Sequence, residues 1–146
     1  MKWPGGLLVS TLAVVLLAGC GSGRLSHASL VERANAICGD YHARIAKLPL
    51  PHDVEAYRVY ARRTLPLYRR ALVQLAALRP PTADETGYRA WLVEGRTIQR
   101  DIVRIVVAAR ARHLPRLKAA VLRARRDDAR AGKLARTLGL GVCARA

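Results

Sequence analysis

The residues of this chain best suited to chemistry are three cysteines, Cys20, Cys38 and Cys143, and four histidines. Cys38 and His42 stand four apart, a spacing that places two side chains on one face of a helix and so offers half of a four-ligand zinc site. His52, Asp53 and His113 fall in two proline-flanked connecting stretches. In an antiparallel helical chain those stretches share one end, with His42 below them. Three imidazoles and a carboxylate can hold zinc or copper. Nothing in the spacing obliges them to converge, however, and separate solvent-exposed histidines are the expected arrangement. Neither Cys-x-x-Cys-His nor the paired Glu-x-x-His of carboxylate-bridged metal bundles occurs, and the only methionine is Met1. Serines beyond position 20 are Ser22, Ser26 and Ser29, all in or beside a polar N-terminal stretch, which argues against a nucleophilic serine. Trp91 and the tyrosines recur at helical spacing and are expected in a core. These residues predict no catalytic group, no cofactor and no metal centre.

The apolar run from Leu7 to Leu17 covers eleven residues, short of the roughly 20 that a transmembrane helix needs. Lys2 is the only charge before Arg24, and a brief basic start followed by a short apolar segment is the order of a secretory signal. The run ends in Leu17-Ala18-Gly19-Cys20, which resembles the lipobox of bacterial lipoproteins. That resemblance implies that residues 1–19 are a signal peptide and that Cys20 is lipidated and becomes the new N-terminus. The protein would then be held on the extracytoplasmic face of the cell membrane. Residues 20–29 read as the lipidated cysteine with a Gly- and Ser-rich flexible tether, and residues 30–146 as the folded domain.

Removing 1–19 leaves 127 residues and a net charge of +15. A balance of this kind speaks of partners and solubility rather than fold. An exported, lipidated chain seldom meets nucleic acid, so none is expected. Anionic lipid, an acidic wall polymer or an envelope protein is more accessible. A solvated basic surface that binds nothing is the competing reading.

These residues must be positioned by helices, because apolar positions recur at three and four and no period-two stretch occurs. The first helix is expected over Leu30–Leu48, opened by a capping box at Ser29-Leu30-Val31-Glu32 and closed by Pro49-Leu50-Pro51. The second runs from Val54, capped by Asp53, to about Leu78, kinked but unbroken at Pro66. The third, entered through Thr82-Ala83-Asp84-Glu85, extends to about His113. Pro115 suits the first turn of a fourth, whose inner stripe is interrupted by Asp127 and Asp128 and which stops at Gly139 and Gly141. Short connections between four amphipathic helices predict an all-α, antiparallel, up-down four-helix bundle. The fourth helix is the most basic, with eight cations against two carboxylates, and Arg123, Arg125, Arg126 and Arg130 are the candidate residues for an anionic surface.

With Cys20 set aside, Cys38 and Cys143 form an even pair in an exported chain, which points to one disulfide. Cys38 lies about 12 Å up the first helix at roughly 1.5 Å per residue, and the five residues Gly139–Cys143 extend about 16 Å, enough to reach. Metal ligation by Cys38 and His42 remains the alternative. The segments Ala34-Asn35-Ala36-Ile37-Cys38, Arg79-Pro80-Pro81 and Leu138-Gly139-Leu140-Gly141-Val142-Cys143-Ala144 together resemble a group of small helical lipoproteins from high-GC Gram-positive bacteria. The likeness implies an exported helical protein with a terminal disulfide and implies no activity. The expected function is a non-enzymatic, membrane-anchored envelope lipoprotein that binds an anionic surface or a protein partner. The alternative is an extracytoplasmic small-ligand or metal-binding helical module.

Overall fold

The computed structural model describes residues 23–145, which form four helices, α1 (His27–Ile45), α2 (Val54–Ala76), α3 (Glu85–Arg110) and α4 (Leu114–Thr137), with no strand among the described residues. Consecutive helices pack antiparallel. The Tyr88 hydroxyl at the start of α3 donates to the Leu75 carbonyl at the end of α2 at 2.8 Å, and Gly87 faces Leu138 near the end of α4. Helix α3 is the central element, packed against both α2 and α4. Its Tyr88, Trp91, Leu92, Ile98 and Ile102 join Leu30, Ala34, Leu75, Ala131, Ala135 and Leu140 in one core. The all-α up-down bundle is the architecture that the apolar periodicity predicts.

Helix starts follow side chains that satisfy orphan amides. Ser26, not Ser29, caps α1: its hydroxyl accepts from the Ser29 amide at 3.2 Å, so the helix begins three residues before the expected Leu30. The Leu25 amide donates to the Arg79 carbonyl at 2.8 Å and Arg24 pairs with Glu85 at 2.8 Å. The segment expected to be a free tether is therefore fixed from Arg24 onward. Asp53 caps α2, accepting from Ala56 at 2.7 Å, and the helix continues through Pro66. The Thr82 capping box does not form. Asp84 is the N-cap of α3 without a side-chain cap bond, because its carboxylate is drawn to His27 Nδ1 at 2.7 Å.

Two helices close by the same motif with different residues. After α4, the Leu140 and Gly139 amides donate to Ala135 and Arg136, with Gly139 at φ +73°, the left-handed cap that glycine favours. After α3, the His113 and Arg112 amides donate to Ala108 and Ala109, but the left-handed position, φ +51°, holds Arg112. The C-terminal tail then runs along α1. Leu140 is fully buried, a contribution of about 2 kcal/mol. The Val142 amide donates to Asn35 Oδ1 at 2.9 Å, and Cys143 is bonded to Cys38, with Cα atoms 5.2 Å apart. The expected disulfide is formed, and it removes Cys38 as a metal ligand for His42.

Candidate functional site

Helix α4 owes its orientation to the Leu117, Ala120, Ala131 and Ala135 stripe, which is buried and leaves the opposite face in water. At about 100° per residue, Lys118, Arg125, Arg126, Lys133 and Arg136 fall within roughly one quarter of the helix circumference on that outer face. All five are exposed. None has a carboxylate within ion-pair distance among the described residues. Leu122, 56% exposed, lies in the middle of them.

The four arginines singled out in the sequence divide between two faces. Arg125 and Arg126 belong to the outer face. Arg123 instead borders a groove between α3 and α4, together with Arg104, Val107 and Arg116. Arg130 turns towards α3 and is committed to two carboxylates, Asp127 at 2.8 Å and Glu94 at 3.5 Å. Lys118, Lys133 and Arg136 complete the outer face. A helical projection of the sequence carries that information, whereas a count of charges does not.

The histidines do not converge, and no cluster of three metal-ligating side chains occurs among the described residues. His52 is exposed beside Asp53, Nε2 to Oδ2 3.3 Å. His113 caps α4, its Nδ1 accepting from the Arg116 amide at 3.2 Å. His42 is half-buried, and burial, reinforced by the nearby Arg145 charge, holds its pKa below the usual histidine value. Burial inside the bundle also acts on carboxylates that apolar periodicity cannot register. Asp101 on α3 is fully buried and Asp127 on α4 nearly so. Arg104 binds one oxygen of Asp101 at 2.6 Å, while Oδ2 has no hydrogen-bond partner. Burial pushes the Asp101 pKa up. The Arg104 bond opposes this, and the adjacent Asp127 carboxyl reinforces it. The pair has no access for a substrate, so its role is within the packing of α3 against α4.

Cys20 and the lipobox-like stretch lie outside the described residues. No helix among the described residues is long and apolar enough to cross a membrane. Comparison with protein-family models, with curated proteins and with solved structures gives no match.

Proposed function

We propose that this chain is a non-enzymatic envelope lipoprotein, held at the extracytoplasmic face of the membrane through Cys20, whose helical domain lies on an anionic surface through the outer face of α4. The observation that carries the docking part is the set Lys118, Arg125, Arg126, Lys133 and Arg136, exposed on one face and free of carboxylate partners among the described residues. Each cation held near an anionic bilayer contributes about 1 kcal/mol, an effect confined to roughly a Debye length of 8–10 Å. Leu122 amid the cations gives the face an apolar contact, as in helices that rest in the headgroup layer. Fixing of the chain from Arg24 onward supports a domain kept close to its anchor, within the range of that field.

The anchor and the docking face are tested separately. Metabolic labelling with a fatty-acid analogue is expected to mark the wild-type chain, and Cys20→Ser is expected to leave an unlabelled precursor. Equal labelling of both would remove the lipoprotein reading. Association of the helical domain with vesicles rich in anionic lipid is expected at low salt, with release near physiological salt. Indifference to such vesicles at low salt would remove the surface reading.

A further inference from the structure

Of the ten carboxylates in the chain, six pair with an arginine among the described residues, and Asp53 and Asp84 meet a histidine instead. Of the other two, Glu32 is exposed to water, whereas Asp128 is half-buried. In a chain of net charge +16, a sheltered carboxylate with neither an arginine nor a histidine at ion-pair distance among the described residues is an exception that calls for a partner from outside. Asp128 borders a cavity of about 80 Å³ at mid-height of the bundle, several times the room that one water needs. Gly95 on α3 leaves this space open: a Cβ there would come within 3.0 Å of Leu72 and 3.6 Å of the Tyr68 hydroxyl. Tyr41 and Tyr68 meet edge to face at the cavity, with centroids 5.6 Å apart, and Trp91 lines it as well.

We propose that this cavity binds a small organic ammonium ion, with Asp128 as its counter-ion, the rings of Tyr41, Tyr68 and Trp91 around the charge, and Leu72 against the apolar body. Aromatic rings beside a carboxylate attract a desolvated cation through both the ring quadrupole and the full charge. An anionic ligand would meet Asp128 as a like charge. A neutral ligand would leave that carboxylate sheltered and uncompensated, the costlier arrangement. The chain's own groups at the mouth leave the counter-charge incomplete. His42, the cationic group that acts on Asp128, is held towards its neutral form by burial, and Arg145, which lines the same cavity, lies on the exposed tail with no ion pair to Asp128. The site is independent of the α4 outer face, so either can fail without the other.

The test uses the full chain with Trp3→Phe, which leaves Trp91 as the only tryptophan. Titration with n-butylamine at neutral pH is expected to change Trp91 fluorescence to saturation. n-Butanol, of the same length without the charge, is expected to bind at least about tenfold more weakly, and butyrate not to bind. Asp128→Asn is expected to keep the helical circular dichroism and lose at least about tenfold in n-butylamine affinity. No saturable change, equal affinity for amine and alcohol, or unaltered amine binding by a folded Asp128→Asn would each overturn the proposal. If Asp128→Asn does not fold, the amine–alcohol comparison in the parent decides.

Discussion

Asp101 is a residue whose protonation the fold controls, through burial and its neighbours. Its pKa is raised on folding, so the native state holds the proton more tightly than the unfolded chain. Its contribution is fully present below the unfolded carboxylate value, about 3.9, and is lost as the pH rises through the folded value. An asparagine at 101 can accept from Arg104 and donate to Asp127 without this loss. Asp101→Asn is therefore expected to be at least as stable as wild type at pH 7, with the advantage vanishing below about pH 4. Urea unfolding across that range measures it. A variant destabilised at pH 7, with the loss shrinking as the pH falls, would show that the carboxylate is ionised and held by Arg104 instead. The buried position of Asp101 was not legible in the apolar stripe, because a charged residue on the inner face is silent to hydrophobic periodicity and only packing reveals it. Asp127 and Asp128 were legible as an interruption of the α4 stripe. That one would bind Arg130 and the other face a cavity was not.

At the scale of elements, all four helices were readable because each keeps its apolar stripe for several turns, and α2 keeps its phase through Pro66. Helix ends were less readable, since they depend on competition between side chains. Ser29-x-x-Glu32 has the spacing of a cap, yet Ser26 caps α1. Asp84 leaves α3 uncapped for His27, which lies 57 residues away in sequence. The turn from α3 into α4 offers a direct test. Arg112 occupies a left-handed position at φ +51°, where a side chain is strained and glycine is not. Arg112→Gly is expected to stabilise the protein by about 0.5–1 kcal/mol, less the greater unfolded-state entropy of glycine. Equilibrium urea unfolding reads this directly. A loss of similar size would mean that the arginine side chain makes contacts that outweigh its backbone strain.

Across the whole molecule, the tail acts as a fifth packing segment tied to α1 by a bond spanning 105 residues. The pairing was legible from helix geometry and from cysteine parity once the lipobox resemblance set Cys20 aside, with metal ligation by Cys38 and His42 as the alternative. The cavity beside the disulfide was not, since it arises from Gly95, Tyr41, Tyr68 and Asp128 brought together by four helices. Cys38→Ser with Cys143→Ser is expected to cost about 2–5 kcal/mol in denaturant unfolding while retaining the helical spectrum. No change in stability would mean that Leu140 and the Asn35–Val142 bond hold the tail unaided.

The division of the charge between two faces is present in the helical projection of α4, but not in the sum of its cations, which does not distinguish the outer face from the flank towards α3. The central claim is that the outer face, rather than the total charge, meets an anionic surface. Its most direct test compares two sets of equal charge change in residues 23–146. One set is Lys118, Arg125, Arg126 and Lys133 to glutamine. The other is Arg62, Arg63, Arg70 and Arg96 to glutamine, all exposed and without carboxylate partners among the described residues. In co-sedimentation with anionic vesicles at low salt, the α4 set is expected to weaken binding more than about tenfold beyond the other. Equal losses from the two sets would contradict the claim and leave the α4 face as a solvated surface.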